Sequence, residues 1–216
     1  AFRRTERALV PNGGDGAALA RILWQQEADV CVLLFGRVEE TKGDSRANFD
    51  FLKRYQSRPH NLSFQDKLDD GVLVFQEGVD EEYFQKRFRP LHDPAIVVDA
   101  LLGTGIDRPI EEKLRQVVHS RWFEEPFFRE RDFTTISIDV PSGLDADSAN
   151  PIGPNVEADL TITFTAPKYA NVLAPAASFG GRLLVANIGT PQELVNEMPS
   201  KLFVSERRDV FDWLYG

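Results

Sequence analysis

The hydrophobic pattern of this chain switches repeatedly between a period of two and a period of 3.6 residues, and that alternation constrains the fold more than any other feature. Residues 28–35 (Ala-Asp-Val-Cys-Val-Leu-Leu-Phe) form a nearly continuous apolar run rich in valine, as a strand covered on both faces requires. Just before it, Leu19, Ile22, Leu23 and Gln26 recur at helical spacing within 15–26, with Ala17, Ala18 and Ala20 for close packing. Further strands are expected over 7–10, 71–75, 95–99, 134–140, 159–164 and 182–188. Helices are expected over 47–56, 80–88 and 191–197. Another should be opened by Pro109 and carry Ile110, Leu114, Val117 and Val118 on one face. The polar stretch 36–46 reads as a loop. Strands alternating with helices imply parallel pairing through crossovers, so the fold class is α/β.

The chain has 216 residues, one medium domain's worth, and shows neither repeats nor low-complexity segments. Acidic side chains outnumber basic ones 34 to 25, a formal charge of −9, which argues against nucleic acid as a partner. The longest apolar runs, 29–36 and 95–103, fall far short of the ~20 residues a membrane helix needs. No basic region followed by an apolar stretch opens the chain, so a soluble, cytoplasmic protein is expected. The single cysteine, Cys31, excludes an intrachain disulfide and cannot build a zinc site by itself.

In open parallel sheets ligands bind outside the carboxyl ends of the strands, where strand order reverses. Three strands here end alike, in apolar residues, then Asn or Asp, then glycines or small polar residues. They lead into Asn12-Gly13-Gly14-Asp15-Gly16, Asp99-Ala100-Leu101-Leu102-Gly103-Thr104-Gly105 and Asp139-Val140-Pro141-Ser142-Gly143. Tips of matched polarity point to a shared site if the strands are neighbours. The first tip is denser in glycine than a turn needs, and successive N–H groups at a helix start make a nest for phosphate or carboxylate. Asp15 would repel a phosphate placed beside it, so it suits a helix cap or a ribose hydroxyl. Asp99 follows four apolar residues, where an ionised carboxylate is costly unless paired; it either caps the next turn or meets a cation. Asn12, Asp99 and Ser142 together offer oxygen ligands with one carboxylate charge, a set suited to a hard monovalent cation.

Gly103-Thr104-Gly105-Ile106-Asp107-Arg108-Pro109 is a second glycine loop, with backbone donors and a guanidinium fit for a diphosphate. Lys168 follows the strand at 159–164 and either reaches the same face or is a solvated loop residue. His60, His92 and His119 are scattered and read as structural or surface groups, and neither a nucleophile elbow nor a Walker-type phosphate loop occurs. The aromatic cluster Trp122, Phe123, Phe127, Phe128 and Phe133 is expected to pack a loop or an oligomer interface.

These tips, with the later Ala-Asp-Leu-Thr-Ile-Thr-Phe, Pro-Lys and Ala-Asn-Ile-Gly-Thr-Pro segments, resemble the YjeF N-terminal domain family, the NAD(P)H-hydrate epimerases, over residues 8–195. The resemblance implies a Rossmann-like three-layer α/β/α sandwich, a homodimer, and an isomerase acting on hydrated NADH or NADPH. Such an enzyme interconverts the R and S epimers at the hydroxyl-bearing nicotinamide ring carbon. By the same resemblance Asn12, Asp99 and Ser142 would hold a potassium ion, while 12–15, 103–109 and Asp139 would contact the dinucleotide. Epimerisation there needs loss and return of the hydroxyl, or ring opening, and so a proton donor and acceptor; Asp139 is the expected catalytic group.

The family's first glycine loop begins with a longer Gly-x-Gly-Asn-Asn stretch, where this chain has Val10-Pro11-Asn12. Residues 1–200 are expected to form the family domain, shortened at its N-terminus, with 201–216 a tail or linker toward a hydrate dehydratase domain or partner. Two rival readings are a non-catalytic nucleotide- or protein-binding scaffold of the same fold, and the epimerase part of a bifunctional epimerase and ADP-dependent hydrate dehydratase.

Overall fold

A strand that is apolar on both sides must be covered on both sides, and the chain meets this demand with helices on the two faces of one sheet. The structure, a computed structural model, describes residues 7–11, 14–56, 71–79, 95–106, 108–110, 112–119 and 133–198, together with 205, 210, 211, 213 and 214. The elements in chain order are β1 (Arg7–Pro11), α1 (Gly14–Gln25), β2 (Asp29–Leu34), α2 (Gly43–Tyr55), β3 (Leu73–Glu77), β4 (Ala95–Asp99) and α3 (Glu112–Val118). They continue with β5 (Phe133–Ile138), β6 (Leu160–Phe164), α4 (Tyr169–Val172), β7 (Arg182–Ala186) and α5 (Gln192–Glu197). The described strands form one sheet in the order β3-β2-β1-β4-β5-β6-β7, and every pairing is parallel.

Successive side chains of a strand point to opposite faces, and β2 divides its apolar residues accordingly. Val30, Val32 and Leu34 join Ala17, Ala20 and Leu23 of α1 and Phe49 and Leu52 of α2 in one buried cluster. Cys31 and Leu33 face the other way, into a cluster with Val97 of β4 and Val117 and Val118 of α3. Three layers result, as the resemblance implied. Burial among apolar neighbours pushes the Cys31 thiol up to about 12, so it is a core residue and not a reactive one. A third, smaller cluster of Val140, Leu144, Ala146, Ala170 and Ala176 lies under the segment after β5 and fixes it beneath α4.

The sequence expectations hold for the strands, with shifts at their ends, and fail at three informative places. The stretch 36–46 is not simply a loop: Val38–Glu40 is a 3-10 turn and α2 already begins at Gly43. Its anchor is the fully buried Val38, whose carbonyl accepts Thr41 Oγ1 at 2.7 Å and Arg46 Nη1 at 2.9 Å. Its polar neighbours conceal that anchor in the sequence. Pro109 does not open a helix, because α3 starts only at Glu112. The strand expected over 134–140 stops at Ile138, because the chain turns sharply at Asp139. The helix expected over 80–88 and the aromatic positions 122–128 lie outside the described residues, as do His60 and His92. Phe133 packs against the Val97–Val117 cluster, and His119 is exposed at the end of α3. No described helix is long and apolar enough to cross a membrane.

Candidate active site

Strand order reverses between β1 and β4, whose chains run outward in opposite directions across the sheet, and a crevice opens at the carboxyl ends of such a pair. β4 also pairs with β5, so the three strands that lead into the tips singled out in the sequence are neighbours. Asn12, Gly13 and Asp107 lie outside the described residues. Gly14 opens α1 against α2, where a Cβ would come within 3.2 Å of Ser45 Cβ, and Asp15 is exposed in the first turn of α1. Gly103, Thr104 and Gly105 are exposed, and a Cβ on either glycine would meet nothing within 4 Å. Ile106 is half-buried, and Arg108 and Pro109 are exposed. That loop is open to an approaching ligand.

Asp99 and Ser142 come together. Asp99 is fully buried at the end of β4. Its Oδ1 accepts Ser142 Oγ at 2.6 Å and Leu101 N at 3.3 Å, and its Oδ2 accepts Ser137 Oγ at 2.7 Å and Ser142 N at 2.8 Å. Burial raises the carboxyl above its ordinary range, while the hydrogen bonds from Ser142, Ser137 and Leu101 pull the other way. No basic side chain pairs with it among the described residues. Ser142 Oγ also accepts Leu102 N at 3.0 Å and has a second acceptor in Leu102 O at 3.3 Å, which stitches the β4 and β5 tips together. The serine is placed by Gly143 (φ +100°), where a Cβ would fall 2.3 Å from Pro154 O, so only glycine fits.

The donor set is all oxygen and carries one negative charge, with no basic side chain paired to it among the described residues. Turning the Ser142 hydroxyl toward Leu102 O frees lone pairs on two oxygens 2.6 Å apart. A hard monovalent cation fits that description, and a transition metal does not. Among the described residues no group of three His, Cys, Asp or Glu side chains could hold a metal ion.

Asp139 belongs to a different network, on the β6 side. It has φ +70°, and Val140 N donates to Ile138 O at 2.9 Å, closing a three-residue turn around it. β6 ends in the same way, with Thr165 at φ +66° and Ala166 N donating to Phe164 O at 2.7 Å. Such backbone is uncommon outside glycine and costs on the order of 1 kcal/mol or more, so surrounding contacts must hold it. Asp139 Oδ1 accepts Thr163 Oγ1 at 2.8 Å, Phe164 N at 3.3 Å and the Lys168 ammonium. Among the described residues Oδ2 accepts no hydrogen bond. Lys168 therefore reaches the strand-tip face, but its charge is directed at Asp139. No hydrogen bond joins this network to that of Asp99 among the described residues.

A cavity of about 670 Å³ is lined by Lys168, Phe164, Tyr169, Leu194 and Met198 and by the hydrogen-bonded Thr165 and Thr190. Sequence reasoning missed Ser137, Thr163 and Asn171. Their signal was polarity inside otherwise apolar strands or beside a proline-lysine turn, which gains meaning only once strand register is known.

Residues 11–170 match the family described as YjeF-related protein N-terminus. The chain is 34% identical over 184 residues to the bifunctional NAD(P)H-hydrate repair enzyme Nnr of Moorella thermoacetica, covering 85% of this chain and 30% of that protein. It is 30% identical over 186 residues to the NAD(P)H-hydrate epimerase of Rhodopirellula baltica, covering 86% and 65%. Against that of Weissella koreensis it is 26% identical over 185 residues, covering 85% and 69%. It thus spans about a third of the length of the bifunctional relatives and about two thirds of that of the epimerases. The crystal structure of yeast YNL200c superposes with a TM-score of 0.56 at 18% identity, over 95% of this chain and 75% of that one, a likeness of fold. With a family match over well more than half of its length, the chain belongs to the YjeF-related N-terminal domain family.

Proposed function

We propose that this chain is an isomerase that interconverts the R and S epimers of hydrated NADH or NADPH at the hydroxyl-bearing ring carbon. The observation that carries this reading is that the three strands leading into these tips are adjacent where the sheet reverses its order. Relatives named for this activity, two thirds of whose length the chain spans, support it.

In this reading the dinucleotide lies across the crevice. Its phosphates meet the backbone donors of Asn12, Gly13 and Gly14 and of 103–109, with Arg108 supplying charge, and Asp15 bonds a ribose hydroxyl. The cavity beside Lys168 is of a size to take the ring-bearing half. Asp139 is the general acid and base, protonating the departing hydroxyl and accepting the proton back when water returns to either face. Oδ2, which accepts no hydrogen bond among the described residues, is the oxygen for that task, since Oδ1 is already held. Asn12, Asp99 and Ser142 would hold potassium, which when bound supplies a fixed positive charge beside the buried Asp99. That local charge also explains how a net-negative chain can hold an anionic substrate.

Racemic hydrate incubated with this chain, potassium and a separate S-specific dehydratase tests the reading. Complete consumption of hydrate is expected. A stall near half, as in a control lacking the chain, would leave a binding scaffold instead.

A further inference from the structure

We infer that Lys168 is a positioning residue for the reaction: with Thr163 and Asn171 it clamps Asp139 so that one carboxylate oxygen is immobilised and the other is aimed for proton transfer. The inference rests on the reading of Asp139 as the catalytic group. An ammonium has three protons, and all three of Lys168 have an acceptor: Asp139 Oδ1, Thr163 Oγ1 at 2.9 Å and Phe164 O at 3.1 Å. Lys168 is thus spent inside the protein, and its placement differs from that of a lysine reserved for substrate phosphate.

The rest of the clamp closes on the backbone. Asn171, buried on α4, donates Nδ2 to Asp139 O at 3.2 Å and accepts Lys168 N at 2.8 Å through Oδ1, so one amide ties the two residues together. From the other side Asp139 N donates to Ile162 O at 2.8 Å. A residue at φ +70° is held by its main chain on both sides and by its side chain at Oδ1. An ion pair on an open surface contributes almost nothing. This one is largely buried, its side chains retaining 23% and 19% exposure, and it shares a hydroxyl with both partners. Its geometry restricts the carboxylate to one rotamer, which is what a proton-transfer group needs.

The roles of Lys168 separate in the kinetics of epimer exchange, followed by the S-specific dehydratase. Lys168→Met keeps an unbranched apolar stem one atom shorter while removing charge and donors. It is expected to lower kcat roughly a hundredfold, the order of loss for a displaced catalytic group, with KM within about twofold. Lys168→Arg should recover part of kcat. Thr163→Val, which keeps shape and removes the shared hydroxyl, should lower kcat about fivefold, again at constant KM, and it carries the test if Lys168→Met does not fold. A raised KM at unchanged kcat would make Lys168 a substrate ligand and overturn the inference. So would unchanged kinetics, or a kcat loss that tracks a lowered Tm in all three variants. Asp139→Asn distinguishes the two levels. If it retains full exchange, the reading of Asp139 falls; if it is inactive while Lys168→Met and Thr163→Val are normal, only the clamp falls.

Discussion

Asp99 and Asp139 sit at the tips of adjacent parallel strands, the first after Ala-Ile-Val-Val and the second after the alternating Thr-Ile-Ser-Ile, and share little else. Asp99 is sealed from solvent, accepts four hydrogen bonds from neutral groups, and has a carboxyl raised above its ordinary range by burial. Asp139 keeps an opening to solvent, shares one oxygen among a hydroxyl, an amide and an ammonium, and stands on left-handed backbone. Two carboxylates a strand apart thus stand in different surroundings, and surroundings set how a carboxyl group behaves. In the proposed reading the first braces two strand tips and holds a cation, and the second handles a proton.

The largest effect should come from Asp139→Asn. Exchange between epimers is expected to fall by roughly 10²–10⁴-fold while Tm stays within a few degrees, checked by NMR on prepared hydrate beside thermal unfolding. Retained activity would erase the distinction between the two carboxylates. Asp99→Ala should show the opposite pattern, a loss of about 3 kcal/mol in folding stability, because Ser137, Ser142 and Leu101 would keep buried donors without an acceptor. Urea unfolding measures it, and a change below about 1 kcal/mol would mean the network is slack.

A smaller effect should appear in the pH dependence of stability. In buffers free of alkali cations the folded chain binds the Asp99 proton more tightly than the unfolded chain does. Folded protein then holds more protons than unfolded between the ordinary aspartate pKa and the raised one, so stability falls as pH rises through that window. Asp99→Asn should flatten this slope. Potassium at several times its dissociation constant should return about 1 kcal/mol at pH 8 and less at pH 5, against tetramethylammonium at equal ionic strength. Equal gains at both pH values would detach the ion from Asp99.

The comparison also shows where sequence reasoning stops. Asp99, Asp139 and Ser142 were visible because each stands in a short local pattern, an apolar run broken by a polar residue and glycine. Ser137 was invisible because its role depends on register: it lies directly opposite Asp99 across the β4–β5 ladder. Thr163 and Lys168 meet Asp139 from 24 and 29 residues away, a distance no local pattern encodes. The 3-10 turn at Val38–Glu40 went unread for a related reason, since its one apolar anchor lies among charges and shows its weight only when packed.

By itself the sequence determined the α/β class, the parallel sheet, the glycine-bearing tips and the carboxylates at their ends. All of these follow from periodicity and from residue types that act over a few positions. Only the tertiary structure decided that the strands leading into the tips are neighbours, that Ser137 and Ser142 enclose one carboxylate, and that Lys168 turns inward to the other. Burial and hydrogen bonding are properties of what surrounds a group, and that neighbourhood is assembled from strands that meet only when the sheet forms.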